Sequence, residues 1–501
     1  MKYLLNAQQM KACDEATIET FGMPSLVLME RAALAVRDVV LERYPDARRI
    51  LAVCGSGNNG GDGYAAARLL NLAGRTADVL FVGKHDHLTE QTALQAEIFR
   101  RYGGRHLPED ASIKGYDLIL DALFGIGLGR EVIGRYADVI GAVNRVDTPV
   151  VAIDIPSGVS ADTGRIMGCA VQADVTVTMQ YAKLGQMLFP GACQCGEVLV
   201  RDVGITDARV NWDKEPVYAL EKKDLEDMLP VRRPDANKGT QGKLLVIAGA
   251  RNMAGAACLA AEAALRSGCG LVKVLGDEAN RVIIQSKVPE ALFASWPEDG
   301  GIADHLEWAD AVAAGPGLGL SDQACAILSE VLTSWNGPLV LDADALNLIA
   351  KDRTLIGDLP LSAVITPHPG EMSRLMALFD DRTLSPAGVA ALPVETAVRC
   401  SEALGCITVL KGARTVVTDS EQIWLNLYGN DGMASGGSGD VLTGIIGSLM
   451  AQGIDAADAS KAGVLLHALA GDTAAKAQGR MSMKAGDLIA YLPSVTSKSF
   501  R

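Results

Sequence analysis

From Ile50 onward, short runs of β-branched and aliphatic residues alternate with stretches of helical length, and glycines or acidic residues mark the handovers. Ile50-Leu51-Ala52-Val53-Cys54 leads to a helix-like segment from Tyr64 to Ala73, then to Ala77-Asp78-Val79-Leu80-Phe81-Val82. Further apolar runs stand at Leu118-Ile119-Leu120, Val150-Val151-Ala152-Ile153 and Val175-Thr176-Val177-Thr178. This alternation predicts a parallel sheet covered by helices, because parallel strands must be joined by crossovers and the crossover is usually a helix. The rhythm restarts at Lys243-Leu244-Leu245-Val246-Ile247-Ala248, after a charged, proline-bearing stretch from Glu221 to Gly242. An alanine-rich helix from Ala256 to Ser267, closed by Gly268, follows it. Strands are expected next at Leu271 to Leu275, Ala311 to Ala314, Leu339 to Leu341 and Val364 to Ile365.

A chain of 501 residues exceeds what one hydrophobic core usually spans. The expectation is therefore two α/β domains, residues 1–215 and 220–501, with the first ending near Asp213. A net charge of −14 argues against a nucleic-acid partner, and an aromatic content of 5% offers few stacking platforms. The ten cysteines show no C-x-x-C spacing, so they read as reduced thiols and point to the cytoplasm. No apolar run approaches the ~18 residues that cross a bilayer, so no membrane role is expected.

The sharpest local signal is Gly429-Asn430-Asp431-Gly432-Met433-Ala434-Ser435-Gly436-Gly437-Ser438-Gly439-Asp440, which runs into a helix from Val441 to Met450. Glycines let successive N–H groups converge, and a helix N-terminus adds positive potential, so the turn suits an anion such as a nucleotide phosphate. Asp440 then stands where a carboxylate base would activate an attacking hydroxyl. Taken alone, the same aspartate equally suits an N-cap after a flexible loop. Lys411-Gly412-Ala413-Arg414-Thr415 forms a tight turn between two strand-like runs and carries two cations. Gly315-Pro316-Gly317-Leu318-Gly319, Asp342-Ala343-Asp344 and Thr366-Pro367-His368-Pro369-Gly370-Glu371 each follow a strand, where α/β sheets bind ligands.

Together these segments resemble the ribokinase-like, ADP-dependent NAD(P)H-hydrate dehydratases over roughly Leu220 to the end. The resemblance implies phosphorylation of the 6-hydroxyl of an (S)-hydrate of NADH or NADPH, then elimination with release of AMP and phosphate. Asp440 matches the family's base. Lys411, Gly412, Ala413, Arg414, Thr415 and Gly439 would contact ADP, whose phosphates would carry magnesium. Ala256, Gly319, His368 and Asp440 would contact the hydrate.

In the first half, Gly55-Ser56-Gly57-Asn58-Asn59-Gly60-Gly61-Asp62-Gly63 follows the strand at Ile50 and reads as a glycine-rich loop. It contains G-x-G-x-x-G, yet Val82-Gly83-Lys84 ends the next strand, where a dinucleotide-binding oxidoreductase would place an acid. That oxidoreductase reading is rejected. Asp121-Ala122-Leu123-Phe124-Gly125-Ile126-Gly127-Leu128-Gly129-Arg130-Glu131 and Asp154-Ile155-Pro156-Ser157 also follow strands. Together these segments resemble the NAD(P)H-hydrate epimerases over about Ala7 to Gly204, which implies a Rossmann-like α/β/α sandwich. By that resemblance Asn58, Asn59, Gly60, Gly61, Asp62, Gly125, Ile126, Gly127, Leu128, Gly129, Arg130, Glu131 and Asp154 would hold the hydrate. Asn59, Asp121 and Ser157 would bind potassium, a weakly charged hard cation suited to oxygen ligands. Asp154 is the expected acid/base, with Asp62 behind it.

A rival reading of the residues is a small-molecule kinase, because the same anion turn and aspartate serve other hydroxyl substrates. A second rival makes the first domain a non-catalytic ligand-binding module. A symmetric homo-oligomer is expected.

Overall fold

The computed structural model describes residues 2–212, 214–360, 362–379 and 384–499. It divides into two compact units, one spanning Tyr3–Val217 and the other running from Tyr218 to the end of the described residues. The expected boundary residue Asp213 lies outside the described residues.

In the first unit seven parallel strands lie in the spatial order Arg105–His106, Thr76–Phe81, Arg49–Cys54, Leu118–Ala122, Val150–Ile153, Val175–Met179 and Glu197–Arg201. The central strands are buried on both faces. Ile50, Ala52 and Cys54 join a core beneath the helices Ser25–Arg43 and Asn58–Leu72. Leu51 and Val53 join a second core on the opposite face, with Ile140 and Val143 of the helix Arg135–Val143. Strict alternation between two buried cores explains why these runs are apolar without a polar stripe. The result is an α/β/α sandwich. Its strand order reverses between Arg49–Cys54 and Leu118–Ala122, the crevice at which such sheets accept ligands.

The segment Asn58–Gly63 is not a loop, because the helix begins at Asn58. A Cβ on Gly60 would stand 2.0 Å from the Gly55 carbonyl oxygen, and one on Gly63 would stand 2.5 Å from the Ala122 Cβ. These glycines serve close helix-on-strand packing rather than flexibility.

In the second unit the parallel strands run Leu292–Ser295, Leu271–Gly276, Lys243–Ile247, Ala311–Ala314, Leu339–Leu341, Ala363–Ile365 and Ile407–Leu410. The antiparallel strands Val416–Thr418 and Ile423–Asn426 extend the sheet. Here too the order reverses, beside the first of these parallel strands in sequence, between Lys243–Ile247 and Ala311–Ala314. The helices Ala254–Arg266 and Ser438–Ala451 pack so closely that a Cβ on Gly444 would stand 2.1 Å from the Ala260 carbonyl oxygen. That contact fixes where the second helix begins, and hence where Asp440 stands. No described helix is long and apolar enough to cross a membrane.

Candidate active sites

The first unit holds a cavity of about 1070 Å³ at the reversal of its sheet. Asn58, Asn59, Asp62, Gly125 to Arg130 and Asp154 line it, so most of the expected hydrate-binding residues meet in one place. Gly60 and Gly61 are buried within the helix behind that wall, and Glu131 is exposed. Asp14 and Lys183 also line the cavity, and sequence reasoning missed both.

Asp154 ends its strand in a left-handed backbone conformation, φ 67°, which non-glycine residues rarely adopt. Its Oδ1 accepts from the Lys183 ammonium at 2.5 Å, the Met179 N–H at 3.2 Å and the Thr178 hydroxyl at 3.3 Å. Asp62 faces Asp154 electrostatically. Burial, then the charges of Asp154 and Asp14, hold its carboxyl well above the usual carboxylate range. Asp14, from the helix Ala7–Glu15, is pushed up to about 6 by burial and by Asp154, against the lowering pull of Lys183. One cavity therefore combines an ion-paired carboxylate with two carboxyls that burial and like charge push upward, a combination suited to general acid–base chemistry.

Beside it, the Ser157 hydroxyl donates to Asp121 Oδ1 at 2.6 Å and the Ser157 N–H to Asp121 Oδ2 at 2.7 Å. Asp121 is itself the fourth residue of its strand rather than a loop residue. Burial pushes its carboxyl up to about 6 despite those hydrogen bonds. Asn59 is buried, and its Nδ2 has no hydrogen-bond partner among the described residues. No cluster of three or more His, Cys, Asp or Glu side chains suited to a transition metal occurs among the described residues.

In the second unit, residues from five strand ends converge. Gly437 caps the helix Ser438–Ala451 with φ 94°, so Asp440 is the third helical residue and not the N-cap. Among the described residues no donor hydrogen-bonds to its carboxylate. Burial pushes Asp440 up to about 7, with further upward push from Asp342, Asp344 and Glu371 and a lowering pull from Lys411. Asp342 is 1% exposed and accepts from Lys411 Nζ at 2.5 Å and the Thr443 hydroxyl at 2.7 Å. Burial would raise its carboxyl, but the Lys411 charge and hydrogen bonds from Lys411, Thr443 and Thr366 hold it below the usual range. A Cβ on Gly439 would stand 3.2 Å from Lys411 Nζ, so the glycine leaves room for that ammonium.

His368 caps the helix Pro369–Met376, with Nδ1 accepting from the Gly370 N–H at 2.9 Å and the Glu371 N–H at 3.3 Å. Its Nε2 lies 3.2 Å from Glu371 Oε1, and its side chain is about half exposed. The Gly319 N–H donates to Asp344 at 2.8 Å. Ala256 is half-buried beside Gly317. Lys411 to Thr415 form the hairpin tip between Ile407–Leu410 and Val416–Thr418, with Gly412 and Ala413 exposed. His467 was not foreseen from sequence. Its Nε2 donates to the Ser438 carbonyl at 2.9 Å, and burial pushes its imidazole down to about 4, so it is neutral and braces the helix that carries Asp440.

Comparison with known proteins agrees with this geometry. Residues 244–494 match the family described as NAD(P)H-hydrate dehydratase, and residues 25–185 match the YjeF-related protein N-terminus. The bifunctional NAD(P)H-hydrate repair enzyme of Moorella thermoacetica is 37% identical, covering 98% of this chain and 96% of that protein. Its counterpart from Escherichia coli is 36% identical, covering 98% and 95%. A solved ADP/ATP-dependent NAD(P)H-hydrate dehydratase from Bacillus subtilis, crystallised with ATP and magnesium, is 30% identical over 56% of this chain and 99% of that one, with a TM-score of 0.50. A ribokinase-like protein from Enterococcus faecalis is 31% identical, covering 56% and 96%, with a TM-score of 0.51. With two family matches and relatives spanning nearly the whole length, the chain belongs to the bifunctional NAD(P)H-hydrate repair enzymes.

Proposed function

We propose that the chain repairs hydrated nicotinamide cofactors, with residues 1–215 interconverting the (R)- and (S)-hydrates of NADH and NADPH and residues 220–501 dehydrating the (S) form. The observation that carries the dehydratase assignment is Asp440, a carboxylate with no hydrogen-bond donor among the described residues, at the start of a helix and raised to about 7. A base of that strength accepts the 6-hydroxyl proton as the oxygen attacks the terminal phosphorus of ADP, and AMP departs. The C6–O bond of the phosphorylated hydrate then breaks, phosphate leaves with that electron pair, and the proton lost from C5 passes to the departing phosphate, which restores the dihydropyridine.

Lys411, Gly412, Ala413, Arg414, Thr415 and Gly439 hold the nucleotide, the exposed hairpin tip supplying backbone N–H groups and the Arg414 charge. Magnesium enters with the ADP phosphates. Ala256, Gly319 and His368 position the hydrate.

In the first unit, Asn58 to Asp62 and Gly125 to Glu131 frame the hydrate around Asp154. Epimerisation follows if Asp154 takes the proton of the C6 hydroxyl while the C6–N1 bond breaks and N1 takes a proton from Asp62. The open aldehyde rotates, and the reverse transfers close the ring on the other face. Potassium fits the oxygens of Asn59, Asp121 and Ser157, because Asp121 is a buried carboxylate with no cationic side chain near it among the described residues. Bound there, it would balance that charge and hold the Asp154–Ser157 turn.

The ten cysteines are all free thiols, in keeping with the cytoplasm. A symmetric homo-oligomer is expected, and light scattering of the full chain tests it.

Asp440→Asn tests the central assignment. ADP-driven formation of NADH from the hydrate is lost, while epimerisation and nucleotide binding remain. Accumulation of a stable phosphorylated product by the unaltered chain would instead establish a small-molecule kinase.

A further inference from the structure

We infer that Lys183 and Gln186 form a two-point clamp that holds Asp154 with one carboxylate oxygen immobilised and the other left free for the substrate. The inference rests on the reading of Asp154 as the epimerase acid/base and names how that group is positioned.

The Lys183 side chain is fully buried. Its ammonium has three N–H donors and spends them on three acceptors: Asp154 Oδ1 at 2.5 Å, Thr178 Oγ1 at 2.8 Å and the Met179 carbonyl at 3.2 Å. No proton of that ammonium is left to give to a substrate, so Lys183 is a positioning residue and not a proton donor. All the donors that reach Asp154, namely Lys183, Thr178 and the Met179 N–H, converge on Oδ1. None among the described residues reaches Oδ2, although Asp154 borders the cavity.

Gln186 completes the clamp. Its Nε2 donates to the Asp154 carbonyl oxygen at 2.6 Å, and its Oε1 accepts from the Lys183 N–H at 2.7 Å. The amide thereby links the backbone of Asp154 to that of Lys183 and fixes the φ of 67°, a conformation that persists only where neighbours over-determine it. Lys183 is itself anchored by parallel pairing with Leu5. The other charged groups around the cavity are Asp14, Glu15 and Lys11 from the helix Ala7–Glu15, Asp62 from the helix Asn58–Leu72, and Arg130. None of them hydrogen-bonds to Asp154, so its orientation is set by the clamp together with the longer contacts from Thr178 and the Met179 N–H.

A fixed single oxygen suits an epimerase. The hydroxyl proton is taken from an oxygen on one face of C6 and returned to the oxygen on the other face after the aldehyde rotates, so one acceptor position must serve both substrates. A carboxylate free to spin would serve neither well, because small misplacement of a reacting group is costly.

The test uses the full chain, with epimerisation followed from the (R)-hydrate and dehydration of the (S)-hydrate measured as a control in the other unit. Lys183→Met is expected to lower kcat for epimerisation by about 100-fold with KM within about threefold, and to raise the solvent deuterium isotope effect on kcat. Loss of folded protein alone cannot raise that isotope effect. Lys183→Arg, which keeps the charge, is expected to recover most of kcat. Gln186→Met disturbs only the backbone half of the clamp and is expected to lower kcat by about tenfold with the same isotope signature. If Lys183→Met fails to fold, Gln186→Met and Lys183→Arg carry the test. Wild-type kcat in Lys183→Met or Gln186→Met, or a loss confined to KM with an unmoved isotope effect, overturns the clamp. Asp154→Asn separates the two levels. An active Asp154→Asn removes the base assignment and the clamp with it, whereas a silent Asp154→Asn beside a fully active Lys183→Met removes the clamp alone.

Discussion

Replacing Asp342 by asparagine should move the acidic limb of the dehydration reaction to lower pH. Asp440 must be ionised to accept the hydroxyl proton, and its carboxyl is raised from 3.8 to about 7. Activity is therefore full above that value and falls as pH drops through it, with about one tenth of the enzyme in the active form at pH 6. Burial is the largest cause of the rise and the Asp342 charge the next, so about one pH unit is a reasonable share for Asp342, worth ~1.4 kcal/mol. The substitution also frees the Lys411 ammonium from its 2.5 Å ion pair, and that ammonium already pulls Asp440 downward. Both effects have the same sign. With the limb near 6, about half the enzyme would be active at pH 6, so the ratio of kcat/KM at pH 6 to that at pH 8 should rise about fivefold. The ratio is insensitive to partial loss of folded protein, which matters because Lys411 must then lean on Glu371, now 3.9 Å away. The assay follows ADP-driven NADH formation from the (S)-hydrate between pH 5 and 9. A limb that stays in place or moves upward would falsify the assignment of Asp440 as a base tuned by its carboxylate neighbours.

His467 should make the second unit acid-sensitive. Its folded-state value of about 4 lies below the ordinary 6.5, so the unfolded chain binds the proton more readily, and stability is lost as pH falls from about 6.5 toward 4. The loss is on the order of 2 to 3 kcal/mol, and His467→Gln should flatten the dependence of denaturant midpoint on pH across that window. Gly444→Ala places a Cβ 2.1 Å from the Ala260 carbonyl oxygen and should force the helix Ser438–Ala451 outward. We expect about 2 to 3 kcal/mol of destabilisation and a fall in dehydration with epimerisation unchanged; full dehydration activity would show that the helix start tolerates displacement. Potassium should stimulate epimerisation, with choline chloride as the ionic-strength control. Asp121→Asn should abolish that stimulation, and a response equal to that of the unaltered chain would remove Asp121 as a ligand.

The strands were legible because both faces of each sheet are buried, which leaves uninterrupted apolar runs such as Val150–Ile153. Helix starts were less so. Asn58–Gly63 reads as a loop because glycine is a poor helix former, and only the proximity of Gly55 and Ala122 reveals why glycine is needed inside that helix. The turn before Asp440 announced itself through glycine spacing, and Asp342, Asp344, Glu371 and Lys411, which tune that carboxyl, stood in the segments that follow strands; Lys183, Asp14 and His467 did not announce themselves. Lys183 sits in Tyr181-Ala182-Lys183-Leu184, and nothing in that string distinguishes a buried ion-paired lysine from a solvated one. Asp14 belongs to an ordinary amphipathic helix, and His467 lies near the middle of a 23-residue helix. Their roles depend on which strand ends and helices meet, a property of topology and not of local pattern.

The two units reach their chemistry by opposite treatments of a carboxylate set on similar sheets. In each, the strands on either side of the strand at the reversal run outward in opposite sequence order, and the aspartate proposed to react lies at the carboxyl edge. Asp154 is held by a buried cation, a strained backbone and three donors on one oxygen. Asp440 has no donor among the described residues and is surrounded by the acidic groups Asp342, Asp344 and Glu371. The difference follows from what each reaction asks of its base. An epimerase must take up and return the proton through equivalent steps in both directions, so orientation is worth more than basicity. A phosphoryl acceptor must lose its proton once, late and in one direction, so a base near neutrality is worth more than a fixed one. A cation like Lys183 placed beside Asp440 would weaken the base it steadied, and that explains why Lys411 is paired to Asp342 instead.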